Sequence, residues 1–79
     1  MPRYYFDVRD HDGVHFDDVG SSHPDIQAAR LEARRALGEM MQETIAVAGK
    51  AVITIDIRTG DGKSVVEVVA ASDDRDLEL

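Results

Sequence analysis

Residues 25–48 constrain the fold of this chain most, because their apolar side chains recur with the period of an α-helix. At about 100° per residue, seven side chains fall within one sector of a helical wheel. These are Ile26, Ala29, Ala33, Leu37, Met40, Thr44 and Val47. The far side carries Arg35, Glu39, Gln42 and Glu43. A helix with one apolar stripe buries it against a partner surface, and the strand pairs before and after this segment are the candidates.

The start of this helix has two possible N-caps. Ser22 followed three residues later by Asp25 matches a capping box. Asp25 can also serve as the cap itself, with Pro24 holding the chain extended before it. The sequence leaves both open. At the other end, Gly49 offers a left-handed position that terminates a helix.

Leu31, Gly38 and Ile45 lie together at the flank of the apolar stripe. Glycine inside a helix costs about 1 kcal/mol relative to alanine. Two explanations are open: another element approaches the helix closely at Gly38, or the sheet wraps far enough to cover Leu31 and Ile45.

The segment before the helix predicts a β-hairpin. Residues 3–9 alternate between apolar and polar side chains, which is typical of a half-buried strand. Its core-facing residues are predicted to be Tyr4, Phe6 and Val8. Residues 10–13 have turn chemistry, and Val14 and Phe16 then face the core from a return strand.

The segment after the helix predicts a second hairpin. Residues 51–58 place Ile53, Ile55 and Ile57 on one side, and residues 59–63 turn the chain. Residues 64–70 return with Val66 and Val68 inward, which leaves Val65 and Val69 exposed unless something covers them. We therefore expect one domain over residues 1–71 and a flexible acidic tail over residues 72–79.

The two hairpins share a short sequence echo. Residues 7–13 match residues 56–62 at five of seven positions when Val and Ile are pooled. Both copies lie at the bend of a hairpin. The echo reflects either a duplication or the same turn solved twice with the same residues.

These elements predict an α+β fold, a two-layer β-β-α-β-β sandwich with an antiparallel-rich sheet and one long helix packed on one face. The other face would carry Tyr5, His15, Val52, Thr54, Val65 and Val69. An uncovered face or edge with this much apolar area is a candidate dimer surface. The possible interaction surface comprises Leu31, Gly38, Ile45, Tyr5, Val65 and Val69.

Composition excludes several classes of protein. The 79 residues suffice for one domain, and the absence of cysteine rules out disulfides and thiolate zinc sites. No segment approaches the roughly 20 apolar residues of a membrane span, and the N-terminus lacks a signal-peptide pattern, so we expect a cytoplasmic protein. The net charge of −7 counts against nucleic acid and anionic membranes as partners.

The sequence predicts no catalytic residue, cofactor or metal site, and hence a non-enzymatic protein. Its serines lack a nucleophile elbow, and no phosphate-binding loop precedes a helix. A metal is the better chemical alternative, because His and carboxylate ligands suit Zn²⁺ or Mn²⁺. The candidates are Asp10, His11, Asp12, Asp17, Asp18, His23 and Asp25, while a ligand role for His15 stays open.

Three segments resemble a small bacterial family known only as a domain of unknown function: residues 1–10, with their Tyr/Phe opening, 17–20 and 24–29. That family implies no activity or site residue. The chain is more distantly similar to HicB-type antitoxins, which share an aromatic strand, a turn and an Ala-rich helix. It lacks their segment before the helix and their DNA-binding tail.

We expect a protein–protein interaction module that forms a homodimer. The alternatives are an antitoxin-like protein that masks a small basic partner and a weak metal-dependent function.

Overall fold

The computed structural model describes residues 1–74, 76 and 77 and shows one antiparallel sheet with one helix. The strands are β1 (Arg3–Asp10), β2 (Gly13–His15), β3 (Ser21–Ser22), β4 (Lys50–Thr59) and β5 (Ser64–Asp73). The helix, α1, spans Ile26–Ala48 between β3 and β4. The strand order is β2-β1-β4-β5, and β3 also pairs with β1. The predicted α+β fold is confirmed, with β3 as an additional short strand.

Helix α1 begins and ends where its capping residues place it. The carboxylate of Asp25 accepts a hydrogen bond of 2.9 Å from the Ala28 N–H, so Asp25 is the N-cap. Ser22, the alternative, lies in β3 instead. At the other end Gly49 has φ 77° and donates its N–H to the Ile45 carbonyl at 2.9 Å, which confirms the predicted left-handed cap.

The core lies between α1 and the helix-facing side of the sheet. As predicted, alternate residues of β4 are buried there, and Ile55 and Ile57 are fully enclosed. The buried apolar residues are Tyr4, Ala29, Ala33, Leu37, Met41, Ile53, Ile55 and Ile57. Partly buried neighbours packed against them include Phe6, Val8, Val66 and Val68.

The prediction for β2 is wrong, because Phe16 is 76% exposed and Val14 is 47% exposed. The first turn is shorter than the predicted pattern requires, since Asp10 pairs directly with Gly13. This register sets Val14 opposite Arg9, on the open face, and His15 opposite Val8, on the helix side. A shift of one residue exchanges the faces of a strand, so His15 and Val14 have the reverse of their expected orientations.

The apolar stripe of α1 also differs from the prediction. Met41 is buried, whereas Met40 is only partly buried and Val47 is 88% exposed. The buried row advances four residues at a time, and such a row drifts around the helix. Its continuation is Ile45, which packs against the core, and not Val47.

Strand β5 is longer than expected and reaches into the predicted tail. It pairs with β4 as far as Lys50 opposite Asp73, so residues 72 and 73 are part of the sheet. The register shifts between Ile57 and Arg58, which produces a β-bulge at Val65. Residues 75, 78 and 79 of the predicted tail lie outside the described residues.

Candidate interaction surface

The sheet face opposite α1, which we call the open face, carries its side chains in rows set by the strand register. The rows are Tyr5 with Arg58; Asp7 with Asp56 and Glu67; Arg9 with Thr54 and Val69; and Val52 with Ala71. One end of this face is therefore charged and the other is mainly apolar.

A buried ion pair lies near the centre of the open face. Asp7 is only 6% exposed, and its two carboxylate oxygens accept hydrogen bonds of 2.8 and 3.2 Å from Nε and Nη2 of Arg58. The hydrogen bonds from Arg58 hold the pKa of Asp7 below its ordinary value, although burial opposes them. The same contact raises the pKa of the Arg58 guanidinium. Both groups are therefore charged at neutral pH.

Asp17 fastens the connector between β2 and β3 onto this ion pair. Its backbone N–H donates to Asp7 Oδ1 at 2.9 Å, and its carbonyl accepts from Arg58 Nη2 at 2.9 Å. Its carboxylate accepts the Phe6 N–H at 3.1 Å, at a point of β1 that neither β2 nor β3 reaches. The side chain thus takes the place of a missing strand neighbour.

The charge of Asp17 is set by the backbone around it. Burial raises the pKa of Asp17, but hydrogen bonds from the N–H groups of Gly20, Phe6 and Val19 outweigh this effect and lower it overall. The bonds from Val19 and Gly20 are 3.1 and 3.0 Å long. An ionised carboxylate therefore holds the connector against β1.

Tyr5 is built into this network. The Arg58 guanidinium lies over its ring, 4.7 Å from the centroid. On the other side Gly20 has φ 73°, and a Cβ there would lie 2.8 Å from Tyr5 Cε2 and 2.9 Å from the Tyr4 carbonyl oxygen. Glycine is needed at this position for both reasons. The half-buried Tyr5 ring therefore supports the connector.

A second, more exposed charge cluster lies beside the first. Arg9 Nη2 is 2.9 Å from Glu67 Oε2, and Arg9 Nε is 3.5 Å from Asp56 Oδ2. Burial raises the pKa of Asp56, Arg9 opposes the rise, and the negative charge of Glu67 adds to it. Asp56 and Glu67, which lie on neighbouring strands, therefore share the positive charge of Arg9.

The sequence echo explains how both clusters arise. Its two Asp-x-Arg segments lie antiparallel on β1 and β4 with Asp7 directly opposite Asp56, so each arginine reaches the aspartate of the other segment. In the sequence the echo adjoins the two hairpin turns, whereas in the fold its Asp-x-Arg segments lie within β1 and β4. A charged residue in the middle of an aromatic strand, repeated in a second strand, is the signal that identifies this network.

The apolar part of the open face adjoins a free sheet edge. Val52, Val65 and Val69 are 64%, 43% and 54% exposed. Strand β5 is last in the sheet order, and within the described residues no strand pairs with its outer edge between residues 64 and 72. This strand contains no Pro, Lys or Arg, and its protections against pairing are the β-bulge at Val65 and the charges of Glu67 and Asp73.

The residues predicted as an interaction surface occupy different places. Val69 lies on the open face, Val65 is the 43% exposed residue of the bulge, and Tyr5 lies in the ion-pair network. Leu31 is 65% exposed on α1, while Ile45 packs against the core. In the part of the chain that the structure describes, no other segment approaches Gly38, because a Cβ there would meet nothing within 4 Å. The sheet therefore covers Ile45 but not Leu31.

The turn after β1 brings together three of the side chains considered as metal ligands. Ligand atoms of Asp10, His11 and Asp12 lie within 4.8 Å of one another. Asp10 already closes the turn, because its Oδ1 accepts the Asp12 N–H at 2.8 Å, and this bond lowers its pKa. His15 lies alongside, with Nε2 3.5 Å from the same oxygen. These residues therefore form a turn on the protein surface that is closed by its own hydrogen bond.

The other predicted ligands have different surroundings. Asp17 belongs to the ion-pair network, and Asp25 caps α1. The Nε2 atom of His23 is 2.9 Å from Ser21 Oγ, and its ring packs against Phe6 at a centroid distance of 5.6 Å. Ser21 and His23 do not line the notch of about 740 Å³ that lies between the ends of β1, β4, β5 and α1.

Comparisons with known proteins place the chain in a family. Among the described residues, no helix combines the length and apolar character needed to cross a membrane. No curated protein and no solved structure matches the chain, and a relationship to HicB-type antitoxins is not shown. A family model described as Domain of unknown function (DUF6894) matches residues 3–71. The chain therefore belongs to this family, as its opening strand and helix start indicated.

Proposed function

We propose that this domain is a non-enzymatic protein–protein interaction module that binds another polypeptide along β5. The observation that carries the proposal is the outer edge of β5, with which no described strand pairs between residues 64 and 72 and which carries the exposed side chains of Val65 and Val69. An edge of this kind presents a row of backbone N–H and C=O groups, which pair readily with an added strand.

The two edges of the sheet differ in a way that supports this proposal. The edge formed by β2 and β3 consists of strands of three and two residues, with the Asp17 carboxylate between them. Short edge strands and inserted charges are common protections against unwanted pairing. Strand β5, with ten residues, has far less protection. This contrast is expected of a sheet with one edge reserved for binding.

The polar network supports a structural role for its charged groups. Asp7 and Arg58 form an ion pair with each other. The Asp17 carboxylate accepts hydrogen bonds from three backbone N–H groups. Groups engaged in this way hold the sheet and the connector in place. They give the binding edge a rigid support.

Photo-crosslinking tests the proposal without assuming the identity of the partner. A benzophenone amino acid replaces Val69, on the open face, and in a matched control replaces Gln42, which is exposed on α1. We expect irradiation of cells to give one discrete polypeptide adduct from position 69 and none from position 42. The absence of a discrete adduct at position 69, or the same adducts from both positions, contradicts the proposal.

The net charge of −7 favours a second candidate, the masking of a small basic protein. Under this proposal the adduct from position 69 is a basic protein, and its yield falls several-fold when the salt concentration of a lysate is raised from 50 to 500 mM, because salt screens the attraction (roughly 10 Å screening length at 0.1 M). An adduct without a basic component counts against it.

A further inference from the structure

We infer that the polypeptide added to β5 is a second copy of this chain, paired antiparallel about a two-fold axis at Val68. The inference rests on the proposed function and names its partner. A two-fold interface brings the same surface of both copies together, so residues at equal distances before and after the axis become neighbours.

The side chains of β5 are self-complementary about this axis. Val68 lies opposite itself, and apolar residues oppose apolar residues on the side that faces the helix. Within the regular part of the strand, beyond the bulge at Val65, the pairs are Val66 with Ala70 and Glu67 with Val69. Because Val66, Val68 and Ala70 are partly buried against the core, pairing extends the core from one copy into the next.

Side-chain polarity favours an axis at Val68 over an axis at either adjacent residue. An axis at Glu67 sets two carboxylates directly opposite each other, which is unfavourable. An axis at Val69 sets the partly buried Val66 opposite the polar Ser72. The axis at Val68 avoids both. It also places Glu67 opposite Val69 of the other copy. The charge of Glu67 is balanced by Arg9 of its own chain, whose Nη2 lies 2.9 Å from Glu67 Oε2.

A single cysteine at the axis tests this geometry directly. The chain contains no cysteine, so a variant carries only the introduced thiol. Directly opposite residues of an antiparallel pair have Cα atoms about 4.5–5.5 Å apart, within the range of about 4.4–6.8 Å that a disulfide requires. We therefore expect Val68→Cys to form a disulfide-linked dimer under mild oxidation at low micromolar concentration.

Val66→Cys is the matched control, because Val66 lies on the same strand, on the same face and is also partly buried. In the inferred register it lies opposite Ala70, and its own counterpart is four residues away, roughly 13 Å at 3.3 Å per residue. We expect it to cross-link at least tenfold more slowly than Val68→Cys. Equal rates for the two variants, or no dimer from Val68→Cys, overturn the inference.

An added charge on an exposed side chain provides an independent measurement. We expect Val69→Glu to raise the Kd of the dimer about tenfold in sedimentation equilibrium, because it sets a second carboxylate opposite Glu67 of the other copy in both symmetric pairs. A wild-type chain that stays monomeric at 100 μM overturns the inference. A foreign polypeptide in the position 69 adduct would then leave the proposed function standing.

Discussion

Replacement of Arg58 by Met is expected to destabilise the fold strongly, because it leaves a charge without its partner. The side chain of Asp7 is 8% exposed and that of Arg58 is 25% exposed. Removing one member of a buried ion pair costs about 3–5 kcal/mol, and partial exposure of Arg58 lowers this to about 2–4 kcal/mol. The variant also loses the hydrogen bond to the Asp17 carbonyl and the contact with Tyr5.

This loss is large compared with the stability of so small a domain. At 0.05–0.15 kcal/mol per residue, a chain of this length has a free energy of unfolding of about 4–12 kcal/mol. For domains of this size, each kcal/mol lowers Tm by about 4–8 °C, so Arg58→Met is expected to lower it by roughly 10–25 °C.

The pH dependence of the effect has a definite sign. In the wild type the pKa of Asp7 is lowered from 3.8, so its stabilising contribution is complete above that value and is lost as the pH falls below it. In Arg58→Met, Asp7 remains buried but loses the arginine that stabilises its charged form, so its pKa rises. Protonation of Asp7 at low pH then removes the unpaired charge and restores part of the stability of the variant. The difference in unfolding free energy between the two proteins is therefore largest near pH 7 and narrows as the pH falls through the raised pKa that Asp7 has in the variant.

Urea unfolding followed by circular dichroism at 222 nm measures this difference, with both proteins at one low micromolar concentration. Arg9→Met is the matched control, because Arg9 is the equivalent arginine of the sequence echo. Its side chain is 45% exposed and that of Glu67 is 56% exposed, so we expect a cost of only about 0–1 kcal/mol. Equal costs for the two variants, or a difference that grows with acidification, would refute the reasoning.

Further outcomes are expected for changes elsewhere in the fold. Gly38→Ala raises the free energy of unfolding by up to about 1 kcal/mol because the position is helical and open, whereas Gly20→Ala lowers it; thermal melts compare them. Asp25→Ala costs about 1 kcal/mol in urea unfolding, and a cost near zero would dismiss the N-cap. Phe16→Ser changes stability by less than about 0.5 kcal/mol, since this side chain is largely exposed. Zn²⁺ at 100 μM leaves Tm unchanged, because residues 10–12 form a closed turn; a rise of several degrees reveals a site.

The sequence predicted those parts of the fold that depend on a long repeated pattern. Ile53, Ile55 and Ile57 alternate over most of β4, and the helix has a clear stripe between a capping Asp25 and a terminal Gly49. In both cases many residues indicate the same orientation, so one exception does not change the prediction.

The prediction failed where one hydrogen-bonded pair decides the orientation of a short segment. In β2, the pairing of Asp10 with Gly13 reverses the faces of Val14 and His15, and three residues carry too little pattern to reveal it. The role of Asp17 was missed for a similar reason. Its partners, Asp7 and Arg58, are 10 and 41 residues away, so only the folded chain brings them together.

The unequal edges of the sheet set a limit on the size of any assembly built through β5. Growth of a fibril requires every added subunit to present a fresh template, and the β2–β3 side, with its inserted Asp17 carboxylate, offers none long enough. If two copies join through β5, neither keeps a second edge of comparable length among the described residues. An assembly of this kind would therefore terminate at two subunits.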